Sequence, residues 1–323
     1  AKALDVPYAV ATTSGSVALL MALMALGVGR DDEVIVPNRT FVATAHAALL
    51  LGARVVLTDV TPGLPVVDVG QVVSKITAKT KAIIPVHLNG RSADMEALRE
   101  VATEYGLGMV EDACQSLFSR NHNGYLGTQS DAGCFSFGMT KLVAAGQGGM
   151  IVTHREELYH KLQMVRNHGV PDTFAASYAQ LGLNFKFTDL LASVGLVQLE
   201  RANTRIGHLE RIYTLYDTAV AKMESPLFKT VPVKVAEGEV PLYAEVLCQR
   251  RDEFQNFLSE QGIQSRPFLP DLDHSPHLKN TDEFPNSREF SANGVFLPCG
   301  PEQPLENVER VTEAMREFTA RIG

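Results

Sequence analysis

Residues 132–151 read AGCFSFGMTKLVAAGQGGMI, and Lys141 stands at the centre of the stretch. The apolar run Cys134 to Phe137 has strand character and ends in small residues. It leads past one lysine and through Gly146, Gly148 and Gly149 into a second strand-like run, Met150 to Thr153. No acidic residue lies within four positions of Lys141, so a local ion pair does not account for it. Taken alone, a lysine in a glycine-rich loop reads as a solvated cation at a loop tip. Held among apolar groups, a lysine loses solvation, its neutral amine becomes accessible, and it can serve as a Schiff-base amine or a proton carrier.

Outward from this stretch, strands alternate with helices. Tyr8 to Thr13 predicts a short strand, Ser14-Gly15-Ser16 follows directly, and VALLMALMALG from Val17 predicts a helix stopped at Gly27. A helix amino terminus carries unpartnered N–H groups and the positive end of the dipole, so this junction suits a phosphate, with plain N-capping by Ser14 or Ser16 as the alternative. Further strands are predicted at Glu33 to Val36, Arg54 to Asp59, Lys81 to Val86 and Gly108 to Glu111. Helices are predicted at Thr40 to Leu51 and Ser92 to Tyr105. This alternation implies an α/β fold with a mostly parallel sheet whose ligands gather at the carboxyl ends of the strands. Phe41 follows one such end, as ring support for an aromatic ligand or as plain core. Asp112 and Gln115 follow another, in GMVEDACQS. A buried acid there calls for a cation or for hydrogen bonds, and a protonated pyridine nitrogen and a local turn are the two candidates. His87 in PVHLNG reads as a hydrogen-bonded structural residue.

Beyond Thr153 a helix is predicted from Glu156 to His168. Apolar residues at helical spacing from Leu190 onward mark an interface or core helix. Composition changes near Pro226, where strand candidates at Lys229 to Lys234 and Leu242 to Leu247 join helices at Arg251 to Gln261 and Leu305 to Arg321 in a smaller α+β unit. The 323 residues hold 45% hydrophobic and 20% charged side chains with a net charge of −8, which argues against a nucleic-acid surface, and no apolar run is long enough to cross a bilayer. Cys114, Cys134, Cys248 and Cys299 form no C-x-x-C pair and read as free thiols of a reducing, cytoplasmic compartment, with no metal site. The first residues, AKALDVPYAV, lack an initiator Met and resemble neither a signal nor a transit peptide.

S-G-S before a helix, an aromatic after a strand, D-x-x-Q at a strand end and S-F-x-x-T-K before a glycine-rich turn occur in this order. Together with PNRTFVATAHAAL, ITAKTKAIIPVHLNG, RNHG, LNFKFTDLLASVGLVQLE, SRPFLP and LPCG, they closely resemble the DegT/DnrJ/EryC1/StrS family of pyridoxal-phosphate-dependent sugar aminotransferases. The resemblance implies the type I, aspartate-aminotransferase-like fold, with a large cofactor-binding domain at 1–210 and a small domain at 211–323. It implies that the family's amino-terminal segment has no counterpart in this sequence. It also implies pyridoxal 5'-phosphate joined to Lys141 as an imine, with Lys141 later shuttling the proton. Asp112 would pair with the pyridinium nitrogen, Gln115 would contact the phenolic oxygen, and Phe41 would stack on the ring. Ser14, Gly15, Ser16 and Ser136 would hold the phosphate, and Asn184 would reach it from the neighbouring subunit of a homodimer with a shared active site. The implied reaction moves an amino group from L-glutamate to a nucleotide-linked keto-deoxysugar. The alternatives are a keto-sugar acid or keto-cyclitol acceptor, with Arg266 and Lys186 as anion contacts, or a cofactor-binding regulatory protein without turnover. Gly138, Met139, Leu142 and Ala144-Ala145 depart from the family pattern and border the substrate side.

Overall fold

The computed structural model describes residues 1–171, 177–278 and 281–322. The chain opens with β1 (Tyr8–Thr12), α1 (Gly15–Ala25), β2 (Glu33–Pro37), α2 (Ala43–Leu50), β3 (Arg54–Thr58), α3 (Val69–Lys75), β4 (Thr80–Ile83), α4 (Met95–Tyr105) and β5 (Gly108–Asp112). A small hairpin, β6 (Arg120–Asn121) and β7 (Gly124–Tyr125), precedes β8 (Ala132–Ser136), β9 (Gly149–Thr153) and α5 (Glu156–Arg166). Seven of these strands form one sheet in the order β1-β9-β8-β5-β4-β2-β3. Neighbours from β8 to β3 are parallel, and β9 runs antiparallel to both β8 and β1. Val34, Ile35, Val36, Ile83 and Val110 are fully buried, as the β-branched runs of a two-sided parallel sheet require. Helix α1 buries seven of its eleven residues between the sheet and its neighbouring helices, which explains why VALLMALMA has no polar stripe.

Next come α6 (Asp189–Glu200), the long α7 (Ala202–Met223), β10 (Phe228–Thr230), β11 (Ala244–Cys248), α8 (Arg251–Glu260), β12 (Arg266–Pro267), α9 (Pro285–Asn293), β13 (Gly294–Leu297) and α10 (Leu305–Ile322). The second sheet, β10-β11-β13-β12, is antiparallel throughout. Its apolar face joins Phe254, Phe257 and Phe318 in a separate core. Leu209 of α7 packs with Leu142 and Leu242, whereas Ile212, Tyr216 and Val220 belong to that second core. We propose on this basis that the chain divides at residue 210, into units of 1–210 and 211–323.

Several boundaries differ from expectation. The strand expected at Lys81 to Val86 ends at Ile83, because Pro85 has no N–H for the ladder; Val86 keeps only an isolated bridge to Asp112. The helix expected from Ser92 starts at Met95, where Asp94 accepts from Ala97 N–H. The strand expected at Lys229 to Lys234 is Phe228–Thr230, with Pro232 close behind. Helix α6 buries none of its residues, so the core reading of that segment does not hold within one chain.

The small unit sits over the carboxyl ends of the parallel strands and is held there by buried polar residues. Beyond β2, Asn38 Nδ2 donates to Asp273 Oδ1 at 3.0 Å, and Arg39 pairs with Asp271 at 3.2 Å. Beyond β3, Asp59 Oδ1 accepts from Ser287 N–H at 2.8 Å. Beyond β4, Arg91 binds Glu245 at 2.6 Å and the Pro232 and Val231 carbonyls at 2.7 and 3.0 Å. Among the described residues no helix is long and apolar enough to cross a membrane.

Candidate active site

A cavity of about 390 Å³ opens at the carboxyl ends of β1, β5 and β8, and the small unit closes one side of it. Its lining includes Ser14, Gly15, Ser16, Phe41, Asp112, Gln115, Ser136 and Lys141, so eight of the nine site residues expected from the sequence meet in one space. A larger hollow of about 770 Å³ continues from Lys141 along the small unit past Arg266.

The floor follows from local chain geometry. Ser14 caps α1 by accepting from Val17 N–H at 3.2 Å, so the N-cap reading of Ser14 holds alongside its place in the cavity. Gly15 must be glycine: a Cβ there would lie 2.7 Å from Cys114 Sγ and 2.8 Å from Ser136 Cβ. Gly149 is pressed equally hard, its Cβ position being 2.3 Å from the Ser14 carbonyl oxygen. The glycines after Lys141 thus let β9 approach the start of α1 and bring Ser136 beside Gly15. The result is a helix amino terminus flanked by serine hydroxyls, a cradle suited to an anion.

Residues 111 and 112 are adjacent on β5 and therefore face opposite ways. The Glu111 carboxylate is saturated by Gly127 N–H at 2.6 Å, Gln129 N–H at 2.7 Å and His87 Nε2 at 2.9 Å. Because His87 Nδ1 accepts from Ala93 N–H, the partners assign its proton to Nε2, and the pair is structural. Asp112 turns instead into the cavity, 6% exposed. Thr44 Oγ1 donates to its Oδ2 at 2.7 Å, and Cys114 N–H donates to its Oδ1 at 3.1 Å, so the local turn is present as well. No lysine, arginine or histidine of the described residues pairs with it. A carboxylate so buried and without a cation fits a protonated ring nitrogen in the cavity.

Lys141 is the single lysine on the cavity wall. Phe41 is 51% exposed at the rim, and so is not the plain core residue its position also allowed. Gln115 Oε1 accepts from Asn89 N–H at 3.0 Å. Cys114 also lines the cavity, where burial and then the neighbouring Asp112 push its thiol well above the usual range. Asn184 is exposed and stands outside this chain's own cavity; its Oδ1 accepts from Lys186 N–H at 3.4 Å. Lys186 also lies outside the cavity and donates to Asn167 Oδ1, whereas Arg266 lines it.

Three wall or support residues were not anticipated. Thr44 holds Asp112, and its four-residue spacing from Thr40 on a helix start was the available signal. Asn89 sits in PVHLNG, where the sequence singled out only His87. Tyr243, from the small unit, lines the cavity across a sequence distance that no local pattern bridges.

The DegT/DnrJ/EryC1/StrS aminotransferase family profile matches residues 1–316. The chain belongs to this family of aminotransferases. It is 32% identical over 317 residues to the GDP-perosamine synthase of Caulobacter vibrioides, covering 96% of this chain and 85% of the relative. It is 34% identical over 317 residues to a pleiotropic regulatory protein of Geobacillus stearothermophilus, covering 94% and 83%. Among solved structures, S. venezuelae DesV, crystallised with a ketimine intermediate, superposes with a TM-score of 0.93 at 32% identity, covering 98% of this chain and 86% of DesV. The fold is the type I fold of pyridoxal-phosphate-dependent aminotransferases, with its mostly parallel large sheet.

Proposed function

We propose that this chain uses pyridoxal 5'-phosphate to move an amino group from L-glutamate to the keto group of a nucleotide-linked keto-deoxysugar, in amino-sugar or polysaccharide synthesis in the cytoplasm. The observation that carries the reading is that a single lysine, a buried acid without a cation and a serine-flanked helix start line one cavity. The sugar-nucleotide acceptor follows the name of the Caulobacter relative.

Pyridoxal phosphate, when bound, supplies a carbonyl carbon and an electron-withdrawing ring. The α1 amino terminus with Ser14, Gly15, Ser16 and Ser136 would hold its phosphate. Asp112 would keep a proton on the ring nitrogen, Gln115 would face the phenolic oxygen, and Phe41 would cover a ring face. Lys141 Nζ would anchor the cofactor covalently and then carry the proton to or from the substrate carbon. Nitrogen balances across the two halves: the donor leaves as a 2-keto acid and the acceptor ketone leaves as an amine, with no outside oxidant. We place Asn184 in the cradle of a second copy, so that the working unit is a homodimer. The apolar, exposed α6 that follows Asn184 supports this, with Leu190 77% exposed.

Visible absorption of the protein with pyridoxal phosphate, before and after L-glutamate, tests the reading. A band that bleaches on adding L-glutamate is expected. The Geobacillus relative's name motivates a second reading, a cofactor-binding regulator without turnover, and a band that persists in L-glutamate would favour it.

A further inference from the structure

Asn89 lies beyond β4 with φ 54° and ψ 40°, a left-handed conformation that asparagine tolerates better than most residues. It is fully buried and contacts both sides of the cavity. On one side its backbone N–H donates to Gln115 Oε1 at 3.0 Å. With that oxygen taken, the Gln115 amide has Nε2 left to offer, a donor suited to an oxygen acceptor. On the other side the Asn89 side chain grips the small unit. Its Oδ1 accepts from Tyr243 N–H at 2.6 Å, and its Nδ2 donates to the Tyr243 carbonyl at 2.9 Å. Tyr243 lines the cavity and donates its hydroxyl to Thr140 Oγ1 at 3.3 Å, one residue before Lys141. The neighbouring Gly90, at φ 85°, admits no side chain, because a Cβ would lie 2.0 Å from the Val240 carbonyl oxygen. The 89–90 backbone is therefore clamped against the small unit.

We propose that Asn89 is a positioning residue with two separable tasks. Its main chain sets the polarity of Gln115 toward the cofactor, and its side chain fixes Tyr243 as the wall that confines the amino donor beside Lys141. The proposal rests on the reading of the cavity as the pyridoxal phosphate and amino-donor site.

Asn89→Gly separates the tasks, since glycine keeps the left-handed backbone and removes only the side chain. Its folding is checked by thermal melting. The pyridoxal phosphate dissociation constant and the pH titration of the bound cofactor's visible band are expected to match those of the unaltered protein, while the KM for L-glutamate rises roughly tenfold. Asn89→Asp keeps the acceptor for Tyr243 N–H and loses the donor, so a rise of about threefold is expected, and this variant decides the matter if Asn89→Gly does not fold. Gln115→Leu is expected to shift the band titration instead. An unchanged KM in a folded Asn89 variant, or a band titration in Asn89→Gly displaced as far as in Gln115→Leu, would overturn the proposal. Absence of any visible band in the unaltered protein would instead remove the reading of the cavity itself.

Discussion

Thr44 has one hydroxyl proton and three oxygen neighbours: Asp112 Oδ2 at 2.7 Å, Thr40 Oγ1 at 2.9 Å and the Phe41 carbonyl at 3.0 Å. A charged acceptor makes the stronger bond, so the proton goes to Asp112 and Thr40 donates in turn to Thr44. A hydrogen bond to a charged group contributes about 1.5–3 kcal/mol, so Thr44→Val is expected to weaken pyridoxal phosphate binding by roughly ten- to a hundredfold, measured by titration of the visible band. Binding at full strength in that variant would mean that Asp112 needs no such support. At this scale the sequence was informative where chemistry demands a rare residue type. A lysine in a glycine turn and an acid closing an apolar strand stand out, whereas Thr44 carries only its spacing from Thr40, and Asn89 acts through partners remote in sequence and carries no local mark.

Gly15 shows how an element boundary becomes part of the proposed phosphate cradle. Placing Ala there forces a methyl group against Cys114 and Ser136, and overpacking of this kind costs about 1–3 kcal/mol. Gly15→Ala should lower the melting temperature and weaken cofactor binding together; binding retained at full strength would show that the cradle lies elsewhere. Helix α6 offers the converse case of an element none of whose residues is buried. Leu190, Val194 and Val197 share one exposed face, so Leu190→Asp with Val194→Asp should shift a dimer toward monomer in sedimentation velocity. If Asn184 serves the second copy, cofactor affinity should fall with it. The parallel strands and helices α1, α2 and α4 were legible because period and punctuation agree there, whereas the seven-residue α3 was not anticipated. The edges of the small sheet were not: β12 spans two residues, too few for a pattern.

Across the whole molecule, all four thiols are pushed up by burial, Cys248 to about 11 and Cys114 and Cys134 well above their ordinary range. In the unfolded chain they ionise near pH 8.5. The folded state therefore holds protons that the unfolded state releases, and stability present below about pH 8.5 is lost as pH rises toward the folded values. The melting temperature should fall between about pH 8 and 10, and less steeply in Cys134→Ala; equal slopes would contradict the linkage. The joint between the two units is equally buried, with Arg91 and Glu245 2.6 Å apart and nearly without solvent. Removing one partner of such a pair costs about 3–5 kcal/mol, so Arg91→Ala should melt well below the unaltered protein. None of this joint could be read locally, since Arg91 and Glu245 lie in different units.

Borohydride trapping tests whether Lys141 carries the cofactor. Protein incubated with pyridoxal phosphate is reduced, digested and sequenced by mass spectrometry. A stable phosphopyridoxyl adduct on Lys141 is expected, lost when the same treatment is applied to Lys141→Ala. An adduct on another lysine, or the same labelling in the Lys141→Ala protein, would contradict it.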